Sequence, residues 1–184
     1  MLAWPELWQA PHREVARAAG VSVGQAHNTR QLLSEAGYTR GPRPTGKPDL
    51  LDLWTAAHPT GLAAKLTRAT YHGAIDHVKP ARHDSMLYLS GESTATDLLR
   101  PATLTLYLPE FDARLPVVNL WRSDGPANIE VRHAFWHAPD ATRPGVHTAP
   151  WPLVYADLAA SDDPRVRQAA QTWRQSHAGP GTSS

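Results

Sequence analysis

Cysteine is absent from the 184 residues, which excludes disulfides and cysteine-ligated metal centres. That absence suits a reducing compartment, and the cytoplasm is the expected location. No charged n-region leads into an apolar h-region, so no secretory signal is read. No apolar run approaches the ~20 residues needed to cross a bilayer, and no membrane partner is expected. Also missing are a phosphate-cradling glycine loop, a nucleophile elbow and a Ser-His-Asp order. The expectation is a protein without catalytic residues, metal or cofactor. The length fits one small domain plus one of modest size, the larger able to bury a core without staples.

Near-neutral net charge hides an asymmetry. Residues 1–47 carry six bases (Arg13, Arg17, Arg30, Arg40, Arg43, Lys47) and three acids (Glu6, Glu14, Glu35). Residues 48–184 carry twelve bases and fourteen acids. A basic excess on a small N-terminal module suits phosphate binding; a solvated surface is the plain alternative.

Met1 to Ala10 has the look of a helix cut short. His12–Ala19 reads as a second helix with Val15 and Ala16 inward, ended by Gly20. Ser22 caps a third from about Val23 to Ala36, with Ala26, Leu33 and Thr29 on its inner face. Gly37 ends it, and Tyr38 begins a wing strand. Arg40-Gly-Pro-Arg-Pro-Thr-Gly-Lys47 has turn composition and marks the boundary between a module of residues 1–47 and an α+β domain of 48–177 with a mainly antiparallel sheet. Within the latter, Leu50–Ala57 reads as a helix with Leu50, Leu53, Trp54 and Ala57 on one face. Met86–Leu89, Thr103–Leu108, Val117–Trp121 and Ile129–Phe135 read as strands, and Ser93–Leu99 and Trp151–Ala160 as helices. Asp163 caps a last helix with Pro164 in its first turn and an apolar stripe of Val166, Ala169, Ala170 and Trp173. Residues 178–184 read as a disordered tail.

The segment from Glu14 to Gly37 has helix-turn-helix logic. Ala16 lets two helices cross closely, Gly20 makes the turn, and Val21 plugs the space between them. The second helix then presents Gln25, His27, Asn28 and Gln31 to solvent, side chains able to reach base edges in the major groove. Ser22 adds a cap and phosphate contact. Arg30, Arg40, Arg43 and Lys47 complete the candidate DNA-binding set, whose partner is duplex DNA. Helical hairpins that never touch DNA share this pattern.

Here the chain resembles a known family. Pro5-Glu-Leu, Arg13-Glu-Val-Ala, Gly20-Val-Ser-Val-Gly and Leu33 with Gly37-Tyr38 are similar to the winged helix of AbiEi-type antitoxins of type IV toxin–antitoxin systems. The resemblance continues through Leu50-Leu-Asp-Leu-Trp54, Gly91-Glu92 and Leu99-Arg-Pro-Ala-Thr-Leu-Thr-Leu-Tyr107. It runs on through Phe135-Trp136 to Leu153-Val-Tyr-Ala-Asp-Leu158 and Asp163-Pro-Arg165. It implies a winged helix-turn-helix followed by an α+β domain. It further implies an autoregulator that binds its own operator and neutralises a nucleotidyltransferase-like toxin.

Other chemistry is weighed against this. Of the ten histidines, His72, His77 and His83 sit close in sequence, but none shows the spacing of a zincin helix. Glu92, Asp97, Asp112 and Asp157 could form a nuclease-like Mg²⁺ cluster, yet they fall on different elements. Asp157 reads better as a structural acid bonded to backbone or to an arginine. Trp121, Phe135, Trp136 and Trp151 read as core. Two alternatives to the DNA-binding autoregulator therefore stay open: a protein-binding module in which the helix pair is scaffold, and a metal-dependent nuclease or nucleotidyltransferase.

Overall fold

The computed structural model describes residues 1–40, 43–45, 47–137 and 143–178. The chain forms two compact units: Met1–Ala56 with Phe135–Thr142, and Ala57–Ala134 with Arg143–Ser184.

In the first unit the helix crossing is built on small residues. Helix α1 (His12–Ala19) and helix α2 (Val23–Glu35) pack through Val15, Ala16, Ala18 and Ala26, joined by Leu7, with Met1, Trp4 and Ala10 at the edge. Alanines at the crossing let the two backbones approach. Gly20 turns the chain between them at φ 64°, and the Val21 N–H bonds back to the Ala16 carbonyl at 2.9 Å. Val21 does not plug the interface, being 39% exposed, and Thr29 faces solvent rather than inward. Instead of a helix over Met1–Ala10 there is one 3₁₀ turn, Pro5–Trp8. Beyond α2, strands β1 (Thr39–Arg40) and β2 (Arg43–Pro44) form an antiparallel hairpin. Helix α3 (Lys47–Ala57) follows. It buries Leu51 and leaves Leu53 55% exposed, so its inner face is rotated from the one the apolar spacing suggested.

A segment distant in sequence completes this unit. The His137 N–H bonds to the Ala18 carbonyl at 2.8 Å, satisfying an end group of α1, and Trp136 beside it is 6% exposed. A Cβ on Gly20 would lie 3.2 Å from the Phe135 carbonyl oxygen. Both the left-handed backbone and this close approach call for glycine.

The second unit opens with a wide i→i+5 turn, His58–Ala63, and a single turn α4 (Ala64–Leu66). Its five strands are β3 (Thr67–Tyr71), β4 (Met86–Ser90), β5 (Leu104–Leu108), β6 (Ile129–His133) and β7 (Gly145–Thr148). They are ordered β3-β6-β5-β4-β7. The pairs β3/β6 and β4/β5 are antiparallel, whereas β5/β6 and β4/β7 are parallel. The sheet is mixed, not mainly antiparallel: strands joined by long connections return in the same direction.

The side-chain period of two divides the sheet. Leu104, Leu106 and Leu108 of β5 join Leu87, Ile129, Val131, Leu115 and Trp121 in one core. Thr105 and Tyr107 point to the other face. There α6 (Trp151–Ala159) packs near β4 and the 3₁₀ turn Gly91–Thr94, and α7 (Pro164–Ala178) packs on α6. Asp163 caps α7 by accepting from the Arg165 N–H at 2.8 Å, and Val166, Ala169 and Ala170 form its buried stripe with Trp173 half-buried. Two expected elements differ. Ser93–Leu99 is covered by the 3₁₀ turn and isolated turn bonds rather than a helix. The run from Val117 to Trp121 is not a strand. Pro116 sits at the second position of a single helical turn, α5 (Leu115–Val118), and Leu120 follows it at φ 57°. Ala178 ends α7; the rest of the expected tail, 179–184, lies outside the described residues.

Gly20→Ala should destabilise the protein by about 1–2 kcal/mol, the cost of a left-handed L-residue. Urea unfolding checks this; a midpoint equal to the parent's would show that the turn relaxes freely.

Candidate functional site

The outer face of α2 is set by its cap and its inner residue. The Ser22 side-chain oxygen accepts from the Gln25 N–H at 3.1 Å, fixing the first turn, while Ala26 at 3% exposure points the opposite side to solvent. Gln25 and Asn28 are exposed, and among the described residues neither amide is engaged. Gln31 is exposed and donates to Glu35 at 2.9 Å. His27 meets the His12 ring edge-on, centroids 5.0 Å apart. Arg30 turns away: its guanidinium donates to the Leu7 and Trp8 carbonyls at 2.6 and 3.2 Å. It ties the 3₁₀ turn to α2 rather than joining the outer face. Arg40 is exposed on β1. Arg43 lies in β2 and Lys47 begins α3.

The second unit holds a buried polar cluster around Asp157. Four elements converge on this carboxylate from α6. Arg132 of β6 donates to it at 2.6 Å and Ser90, ending β4, at 2.5 Å. The Tyr107 hydroxyl of β5 donates at 3.1 Å. His58 bonds to it through Nε2 at 3.0 Å; because a carboxylate only accepts, that nitrogen carries a proton. Arg132 also donates to the Tyr107 oxygen at 2.9 Å and to Glu130 at 2.6 Å, and Thr67 of β3 donates to Glu130. Gly91, at φ 62°, passes beside the acid, its own Cβ direction ending 3.8 Å from the Asp157 Cβ. A groove of about 330 Å³ borders the cluster, with Thr70, Thr103, Glu130 and Arg132 in its lining.

The electrostatics hold this arrangement ionised. Burial alone would raise the Asp157 carboxyl, but the His58 bond, the Arg132 charge and the Ser90 bond outweigh it and hold it below the ordinary carboxylate value. Burial likewise opposes the charge on Arg132, and the Glu130 bond and Asp157 charge overcome it. Burial, then the neighbouring Asp157 charge, push the Tyr107 hydroxyl far above its usual value, so it stays a neutral donor.

Both Asp157 oxygens are already bonded within this cluster, while the buried Arg132 Nε has no hydrogen-bond partner among the described residues. Glu92 is occupied by the Ala102 N–H and the Thr103 hydroxyl, each at 2.8 Å, Asp112 pairs with Arg114, and Asp97 is exposed. Among the described residues no three His, Asp or Glu side chains gather to hold a metal. The reading of Asp157 as an acid paired with an arginine agrees with its bond to Arg132. His58, Ser90 and Glu130 are not singled out by the sequence and Tyr107 enters it only as the end of the Leu99–Tyr107 block, because the contacts of Ser90, Tyr107 and His58 with Asp157 span 50 or more residues.

A family model described as transcriptional regulator, AbiEi antitoxin, type IV toxin–antitoxin system matches residues 45–178. The match spans the whole Asp157 cluster and ends short of α1 and α2. No curated protein and no solved structure matches the chain.

Asp157→Ala should cost about 3–5 kcal/mol, because it leaves the buried Arg132 short of its counter-charge. The pH dependence follows from the lowered carboxyl. Its contribution is fully present above the unfolded aspartate pKa of about 3.9 and is lost as pH falls through the lower folded value. Acid titration of unfolding free energy should show this erosion in the parent and a shallower one in Asp157→Asn; parallel curves would contradict it.

Proposed function

The chain belongs to the AbiEi antitoxin family of transcriptional regulators from type IV toxin–antitoxin systems, and we propose that it binds duplex DNA and represses its own operon. In this reading α1, α2 and the β1–β2 hairpin act as a winged helix-turn-helix. Helix α2 enters the major groove, and Ser22 and Arg40, with Arg43 and Lys47, meet the backbone. The observation that carries the reading is the outer face of α2, where Gln25 and Asn28 are exposed and unengaged beside an arginine-bearing hairpin. An amide can both donate to and accept from adenine. His27 and Gln31 flank that face, and Arg30 supports it from behind.

The second unit carries the antitoxin half of the function. Its surface engages a nucleotidyltransferase-like toxin, while the Asp157 cluster keeps that surface in one shape. No described helix is long and apolar enough to cross a membrane, and we place both activities in the cytoplasm.

Asn28→Ala should weaken binding to the upstream region of the protein's own gene by about 1–3 kcal/mol and binding to a scrambled duplex far less. Replacing Arg40, Arg43 and Lys47 together should weaken both equally and lower the slope of log K against log salt by about one unit per lost phosphate contact. Fluorescence anisotropy separates the two. Equal losses on both duplexes for Asn28→Ala would reduce the helix pair to a sequence-blind anchor or scaffold.

Neutralisation is checked by co-expression with the nucleotidyltransferase-like product of a neighbouring gene. The parent should restore growth and Asp157→Ala should not; rescue by residues 1–56 alone would move the activity to the first unit.

A further inference from the structure

Gly24 is the residue of α2 that the fold itself does not account for. A glycine within a helix costs backbone entropy that alanine would not. It is normally kept for a positive φ or because a Cβ would strike a neighbour, as at Gly20. Neither reason applies here. Gly24 is exposed, and a Cβ would meet only Ser22 Oγ at 3.9 Å, an ordinary contact.

Its place on the helix is informative. At 3.6 residues per turn, Gly24, Asn28 and Gln31 lie along one stripe, opposite the buried Ala26. Helical side chains lean toward the N-terminus, so the Asn28 amide leans over position 24. With nothing on Gly24, that amide is uncovered from the solvent side. Val23, the residue before Gly24 and about 100° round the helix, holds an apolar side chain 53% exposed, with no role in the core between α1 and α2. An unengaged amide over a vacancy on one stripe, and an exposed branched apolar group on the flank of the same first turn, offer the two contacts that an A·T step can take. Adenine takes the amide, and the thymine C5-methyl takes the apolar contact.

We propose that Gly24 is a specificity determinant, a slot through which Asn28 reaches an adenine edge while Val23 packs on the thymine methyl of an adjoining A·T pair. This rests on the DNA-binding reading above and narrows it to operators with A·T pairs under α2. The contact is steric and apolar and owes nothing to the helix dipole.

The test uses the full chain, its Gly24→Ala and Val23→Ala variants, and three duplexes: the upstream region of the gene, the same sequence with every thymine replaced by deoxyuridine, and a scrambled sequence. Gly24→Ala should melt at or above the parent temperature, yet bind the upstream duplex about 10-fold or more weaker and the scrambled one as before. Removing the thymine methyls should weaken the parent several-fold and leave Val23→Ala unchanged. Gly24→Ala binding as tightly as the parent overturns the inference, as does a parent indifferent to deoxyuridine. A parent that binds no duplex overturns the autoregulator reading and this inference with it.

Discussion

A buried carboxylate facing a buried guanidinium organises the second unit. Asp157 on α6 and Arg132 on β6, 4% and 12% exposed at the side chain, are expensive to remove from water unless paired and fully bonded. Satisfying them requires Ser90 at the end of β4, Tyr107 on β5 and His58 on the entering turn to arrive together. A slip of one residue in any of the three central strands would turn its side chain to the opposite face and strand a buried charge. The cluster therefore ties the register of β4, β5 and β6 to the seat of α6. The leucine-rich core on the other face supplies the hydrophobic burial.

The first unit solves a different problem. Its two helices meet through close backbone approach, with alanines at the helix crossing, Gly20 at the turn, and the Phe135–His137 segment closing the end of α1. Arg30 spends its charge on the Leu7 and Trp8 carbonyls. With the inner side so tied, the outer side of α2 is left with the exposed amides of Gln25 and Asn28, which among the described residues have no partner.

Much of this was legible in the sequence, and the rest was hidden for physical reasons. Helices α2, α6 and α7 announced themselves through caps and apolar spacing, as Ser22 and the Val166–Ala169–Ala170 stripe show. Strand β5 did so by strict alternation of leucines. Strands β3 and β7 escaped notice because they are the sheet's two edges, where Thr67, Ala69, Gly145 and His147 need no strong apolar face. Alternation says which residues face the core but not which way the neighbouring strand runs, so the parallel pairs β5/β6 and β4/β7 were out of reach. Val117-Val118 looked like a strand by β-branching. Pro116 and the Asn119 side chain, which clamps the Lys79 backbone at 2.8 and 2.9 Å, favour a turn instead. Around Asp157 the arginine was expected and its other partners were not. The exposure of the α2 face can be read residue by residue, because a helix displays its neighbours in local sequence; the bonds of Arg30 cannot, because its partners lie 22 and 23 residues upstream.

The central claim is that this family member controls transcription by reading DNA through the outer face of α2. Transcript from a promoter fused to the gene's own upstream region, measured with the parent or with Asn28→Ala at equal abundance, tests it most directly. The account predicts that the parent lowers the transcript and that Asn28→Ala largely restores it. A transcript unmoved by the parent, or lowered equally by both proteins, would contradict it.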